Sequence, residues 1–230
     1  MYSNYSEISS NTLKNKLSKS FAWMFIGLLL TGIVATVTYA SGFLMVLMQI
    51  PYLYLFIIFF PIILCLFFGK AMQASSSSAI KVMFLLYALS MGFSMASLGL
   101  SYDLGVIGIA FAISSFYFLC LVLIGLTTKR DLSKIGTLCM VGLFAILISQ
   151  IFLALFHVSY SIRFYSILGL LIFTGLTAWD VQNMNRVLTF SNGQAVEQEK
   201  MSIYFALQLY LDFVNIFLYI LRLVGSKNNN

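Results

Sequence analysis

Residues Ile203 to Val224 read IYFALQLYLDFVNIFLYILRLV. The stretch is long enough to cross a bilayer, yet it carries Asp212 near its middle and Arg222 near its end. Gln208, Asp212, Asn215, Tyr219 and Arg222 follow one another at steps of four, three, four and three. On a helix those steps place all five on one stripe. An acid at the centre of a membrane helix costs about 2.5–3.5 kcal/mol on insertion scales. Such a stripe is tolerated where it faces protein or water, so this helix is predicted to be the inner element of a bundle.

The rest of the chain supplies the bundle. Of 230 residues, 61% are hydrophobic and 9% charged. A soluble domain carries about 25% charged residues. A membrane β-barrel shows short alternating segments, and none occur here. The composition predicts an all-α, polytopic membrane protein. The net charge of +6 suggests nucleic acid at first sight. The basic residues sit between apolar segments, however, so they read as topology signals and no nucleic-acid partner is expected.

A span needs about 20 apolar residues. Residues 1–20 form a polar tail with Lys14, Lys16 and Lys19 next to the first apolar run, and 226–230 a short polar end. Between them, 21–225, lie seven predicted spans: Phe21–Ala40, Tyr52–Gly69, Ala79–Leu100, Leu104–Leu126, Ile135–Phe156, Ile162–Val181 and Ile203–Val224. The first run is too long for a signal-peptide core of about 7–15 residues, so it is read as a retained span, with Thr38-Tyr39-Ala40 the competing cleavage site. Breaks are expected at Ser41-Gly42 and Gln49-Ile50-Pro51, and a polar turn holds Ser75 to Ser78. Residues 182–202, with Asn192-Gly193, are predicted to be a polar connection. A re-entrant last segment would lower the count to six.

With the N-terminus inside, ten basic residues fall on the cytoplasmic side: Lys14, Lys16, Lys19, Lys70, Lys81, Lys129, Arg130, Lys134, Arg186 and Lys200. Three fall outside: Arg163, Arg222 and Lys227. The bias predicts a cytoplasmic N-terminus. On that side the sequon at Asn4-Tyr5-Ser6 would not be glycosylated. Cys65, Cys120 and Cys139 stand singly in apolar runs, and His157 is the lone histidine, so no disulfide, metal cofactor or other cofactor is expected. Ser90, Ser94, Ser97 and Ser101 form a small hydroxyl face in the third span; Gly105, Gly108 and Ala112 form a small-residue face in the fourth. Both suit close helix packing.

Two acids lie within apolar segments: Asp180 near the inner end of the sixth span, and Asp212, about 13 Å into the seventh at 1.5 Å per residue. The two spans are consecutive and antiparallel, so their acids can meet. Two carboxylates in a medium of low dielectric do not both ionise cheaply; one proton is shared, and the pair is expected to sense pH. The alternative is a buried structural hydrogen-bond network. Lys70, at the inner end of the second span, is a candidate latch for an ionised acid, or a boundary lysine that snorkels.

Three segments carry a resemblance: GLTAWDVQ at 175–182, ALQLYLDFVNIFL at 206–218 and LRLVG at 221–225. With the KRDLS loop at 129–133, they resemble the closing signature of the Bax inhibitor-1 family. The resemblance covers nearly the whole chain. It implies seven helices, two layers of three around a central seventh. It implies a pH-sensitive calcium leak gated at the cytoplasmic mouth by an aspartate pair, which maps onto Asp180 and Asp212. Calcium and protons are then the partners, with the lipid bilayer and, in some relatives, another membrane protein. An arginine latch of some members is replaced here by Lys70, which lacks the bidentate fork. A further acid of some members has no counterpart; Phe59 and Phe60 occupy its region. Two carboxylates with Asn215 make at most a weak, transient calcium site, which suits conduction.

Three functions compete at this point: a calcium leak channel, a non-conducting regulator that binds other membrane proteins such as a protease, and a proton-coupled transporter. An enzyme is not expected, for want of a His pair, an HExxH motif or a Ser-His constellation. The host membrane is expected to be a bacterial inner membrane.

Overall fold

The computed structural model describes the backbone of residues 2–73, 76–157, 159–190 and 195–225, with side chains described from residue 14 onward except at 51, 71 and 195. Ser75, Asn192-Gly193, Lys227 and the segment 226–230 lie outside the described residues. The elements are α1 (Tyr2–Ala40), α2 (Phe43–Met48), α3 (Pro51–Gln73), α4 (Ser77–Met95), α5 (Leu98–Ser101), α6 (Leu104–Thr127), α7 (Ser133–Leu155), α8 (Ile162–Phe190) and α9 (Ala195–Val224). No strand occurs among the described residues. Seven stretches are long and apolar enough to cross a membrane, with α4 and α5 together forming one of them. The chain is an all-α membrane protein.

The expected break after the first span is present. Gly42 adopts φ 69° between α1 and α2, a left-handed conformation open to glycine at little cost. The sixth span is longer than expected. Helix α8 does not stop at Val181 but runs to Phe190, and α9 starts at Ala195. The expected polar connection over 182–202 is therefore mostly helix. The reason is burial: Val181, Met184 and Leu188 are 0%, 0% and 1% exposed at helical spacing, so an apolar stripe continues between Gln182, Asn183 and Arg186. Asp180 consequently lies inside a long helix rather than near its end.

Two compact units divide the chain. The first comprises residues up to Ser101 with Val187–Tyr210. In it α4 packs on both α1 and α3. Gly92 of α4 admits α1: a Cβ there would lie 2.6 Å from the Val34 side chain and 3.0 Å from the Thr31 carbonyl. Pro61 interrupts α3. A proline has no N–H, so the carbonyl four residues earlier, that of Ile57, loses its helical donor. Ser94 Oγ of α4 donates to this Ile57 carbonyl at 3.4 Å, which serves a backbone group that lipid could not. The serine face of α4 is thus a packing face, with Ser90 bonded to Tyr87 O at 2.8 Å and Ser97 to Ser94 O at 2.8 Å.

Tyr210 of α9, 0% exposed, anchors the first unit. Its hydroxyl is 2.6 Å from Thr31 Oγ1, which itself donates to Ala88 O at 3.0 Å. Phe84 and Tyr87 meet its ring edge-on, at 6.1 and 5.7 Å between centroids. Charges gather at one end. Lys16 Nζ donates to Leu188 O at 3.3 Å and Lys200 Nζ to Met72 O at 3.5 Å, each on a carbonyl in the last turn of a helix, where cations are favoured. Lys81 pairs with Glu199 at 2.7 Å.

The second unit comprises Tyr102–Arg186 with the chain from Leu211 on. Glycines seat its helices. Gly136 of α7 lies against the indole of Trp179, Gly175 of α8 against Cys139, Gly169 of α8 against the Tyr219 ring, and Gly125 of α6 against Ala178 O and Val181. Phe213 of α9 packs edge-on to Phe111 and Phe118 of α6, at 5.5 and 5.6 Å. Across the chain, 67% of the apolar stretch of α9 is buried against 6% of that of α7. The segment with the most polar stripe is therefore the most enclosed, while the apolar side chains of α7 are mostly exposed.

Gly136→Ala is expected to lower stability by about 1–3 kcal/mol, since the added methyl meets the rigid body of Trp179 and not a flexible tip. Thermal unfolding in detergent, with Gly105→Ala as a control at an open position, measures the difference.

Candidate functional site

The second unit brings Asp180 and Asp212 together. Each sits on a long helix whose burial is set by apolar neighbours. Asp180 follows Trp179, which is locked by Gly136, and Asp212 precedes Phe213, locked by Phe111 and Phe118. The two side chains are 7% and 4% exposed and interact directly, with Thr177 beside Asp212. A carboxyl–carboxyl hydrogen bond needs a proton on one of them, because two carboxylates have no donor between them. Asp180 Oδ1, Asp212 Oδ2 and Thr177 Oγ1 are enclosed, and none has a partner at hydrogen-bond distance and angle. The ion pairs among the described residues are Lys81–Glu199 and Arg186–Asp131, so no basic side chain of the second unit neutralises the pair.

The other residues of the polar stripe are spread over different tasks. Asn215 Nδ2 donates to Leu211 O of its own helix at 2.8 Å. Tyr219 is buried against Gly169 and Phe173. Arg222 is exposed and stacks 5.6 Å from the Tyr219 ring. Gln208 belongs to the first unit, half-buried, with Oε1 enclosed and unpartnered. Lys70 also belongs to the first unit, in the last turn of α3, its ammonium 5.0 Å from the centre of the Phe67 ring. Among the described residues no group of three or more His, Cys, Asp or Glu side chains is placed to hold a metal ion.

A clamp next to the pair escaped the sequence reading. Gln182, two residues after Asp180, accepts from Leu132 N at 2.9 Å and donates to Thr128 O and Arg130 O at 3.2 and 2.8 Å. The loop 128–132 is thereby tied to α8. Arg186, one turn further on, reaches Asp131 at 3.0 Å. Asp131 also accepts from the Ser133 hydroxyl at 2.7 Å and the Ser133 N–H at 3.1 Å. The hydroxyl, the N–H and the guanidinium hold its carboxyl down to about 2. The signal in the sequence is the pairing of an amide and an arginine, four residues apart, with a charged loop. It is readable only once α8 is known to continue past Val181.

The sign of the pH effect follows from that depression. The Asp131 arm of the clamp is fully present above the ordinary carboxylate value of about 4 and is lost as pH falls through the folded-state value, whereas the three Gln182 bonds contain no titrating group. Pepsin is expected to spare the 128–132 loop at about pH 4 and to cut it near pH 2, whereas Asp131→Asn and Gln182→Ala are expected to be cut at both. Mass spectrometry of the fragments reads the outcome.

With fold and site in view, the comparisons with known proteins fall into place. The family described as "Inhibitor of apoptosis-promoting Bax1" matches residues 13–229. A Borreliella burgdorferi protein is 33% identical over 222 residues, covering 95% of each chain. The Rickettsia prowazekii protein RP147 is 32% identical over 235 residues, covering 98% of this chain and 99% of its own. The inner membrane protein YbhL of Escherichia coli is 30% identical over 219 residues, covering 94% and 93%. The match takes in both helices of the aspartate pair and the clamped loop, and the chain belongs to the Bax inhibitor-1 family.

Proposed function

We propose that this chain is a pH-sensitive calcium leak channel of a bacterial inner membrane, with its N-terminus in the cytoplasm and its gate at Asp180 and Asp212. The observation that carries the reading is the direct meeting of these two buried carboxyls, unneutralised by any basic side chain of their own unit. Intramembrane acids mark ion and proton pathways. Calcium is held tightly by six to eight oxygens; two carboxyls supply few of them, and weak binding favours passage over storage. The family resemblance supports the ion and the gating, the named membrane of the Escherichia coli relative supports the location, and the ten-to-three bias of basic residues supports the orientation.

In this reading the proton is the key. With one carboxyl protonated the pair carries a single negative charge and holds a latching cation less tightly; with both ionised, a cation is drawn in to hold the mouth shut. Lys70 is the proposed cation, a single ammonium in place of a bidentate guanidinium. Purified protein in liposomes containing a calcium dye tests the scheme. Flux is expected to rise as pH falls, and Asp180→Asn and Asp212→Asn are expected to flatten that dependence. Unchanged pH dependence in both variants removes the gate from this pair. Lys70→Gln is expected to raise flux at high pH and leave low-pH flux unchanged, and equal flux at all pH values rejects the latch.

A second reading, a regulator that binds another membrane protein, draws on α6. Gly105, Gly108 and Ala112 are exposed at steps of three and four, with open space around both glycines, a surface on which a partner helix can lie close. Crosslinking from native membranes that yields a stoichiometric partner, with no flux from the purified protein, favours this reading over the leak.

A further inference from the structure

Buried hydroxyls in this chain are, as a rule, spent on their own helices. Ser20, Ser114, Ser166, Thr174 and Ser202 each donate to the carbonyl four residues back, at 3.4, 2.6, 2.8, 2.7 and 3.0 Å. This is the ordinary solution for a hydroxyl in a membrane helix, where no water is at hand. Thr177 breaks the rule. It is 0% exposed, and its hydroxyl is fully enclosed with no partner at hydrogen-bond distance and angle. Thr174, one turn earlier on the same helix, bonds back to Leu170 O, so the helix itself does not prevent the bond. What distinguishes Thr177 is its neighbour, since its side chain stands beside the Asp212 carboxyl, and one oxygen of each aspartate is likewise enclosed and unpartnered.

We propose that Thr177 is a positioning residue for the Asp180–Asp212 pair, its hydroxyl kept off the helix backbone so that it can close on the Asp212 carboxyl as ions pass. A hydroxyl is suited to this role because it donates to a carboxylate and accepts from a protonated carboxyl without changing place. An amide or a charged group would fix one state. Hydrogen bonds of this kind at functional sites are often long or misaligned at rest and tighten in the working state. The unspent hydroxyl also separates this role from a structural one. A residue present for stability would use its oxygen, and a threonine that leaves it unpaired holds the fold at a cost that valine would remove.

The role in ion passage rests on the leak reading; the contact with Asp212 does not. The test uses the full chain in lipid, with Thr177→Val and Thr177→Ala lacking the hydroxyl and Thr177→Ser retaining it. Infrared difference spectra at fixed pH report the carboxyl stretching bands, assigned by their loss in Asp212→Asn. Thr177→Val and Thr177→Ala are expected to shift the Asp212 band, Thr177→Ser to restore it, and the melting temperature of Thr177→Val to equal or exceed that of the parent. Calcium flux is expected to fall about tenfold in Thr177→Val, the factor that a hydrogen bond to a charged group is worth, and to return in Thr177→Ser. An unmoved band overturns the proposal whatever the flux does, and so does a lower melting temperature with flux unchanged. A shifted band in a protein whose parent form passes no calcium keeps Thr177 with Asp212 and discards the leak instead.

Discussion

Two carboxyl groups meet inside a membrane protein, and most of the second unit is arranged to make that meeting possible. Their burial is costly, because an isolated charge in hydrocarbon has neither water nor counter-ion. The cost is borne by packing. Four glycines, Gly125, Gly136, Gly169 and Gly175, let α6, α7 and α9 approach α8 so closely that an indole, a phenol ring, a thiol and a valine fill the gaps. In lipid, where no hydrophobic force draws helices together, such contacts are the main source of association. The aspartates are therefore held in place by side chains that carry no charge.

Helix α9 carries a different load in each unit. Its first half delivers Tyr210 to the first unit, where Thr31, Ala88, Phe84 and Tyr87 enclose it. Two residues later it delivers Asp212 to the second. Each anchor is polar, but the tyrosine hydroxyl is satisfied while the aspartate oxygen is not. Satisfied buried groups rigidify a site, and unsatisfied ones store free energy that a proton, a cation or a hydroxyl can release. The contrast marks Tyr210 as scaffold and Asp212 as working part.

Polar chemistry at the helix ends follows simpler rules. Lys16 and Lys200 sit on final-turn carbonyls, Lys81 pairs with Glu199, and Gln182 with Arg186 pins the charged loop. Apart from Lys16, which is buried, these groups are partly solvated, so each contributes little alone. Together they define where the apolar rods stop. The clamp on the 128–132 loop has one further effect: it ties backbone groups to α8 within one turn of Asp180, so the loop and the carboxyl pair share a support.

The sequence by itself determined the class of the protein. Seven apolar runs, the turn at Ser41-Gly42, the charge bias, the closing signature and the two acids in apolar segments were all readable, because transfer from water to hydrocarbon acts residue by residue along the chain. It also marked the last helix as enclosed, since a stripe with an acid cannot face lipid. It misjudged the end of α8, where Gln182, Asn183 and Arg186 masked a stripe through Val181, Met184 and Leu188 that only burial reveals. Tertiary structure alone decided which polar groups meet. That Asp180 contacts Asp212, that Asn215 is spent on Leu211 O while the Thr177 side chain stands beside Asp212, and that Gln182 holds a loop some fifty residues away in the chain are outcomes of helix packing. Packing depends on the shapes of side chains remote from one another in sequence, so it leaves no periodic trace for a local reading to find.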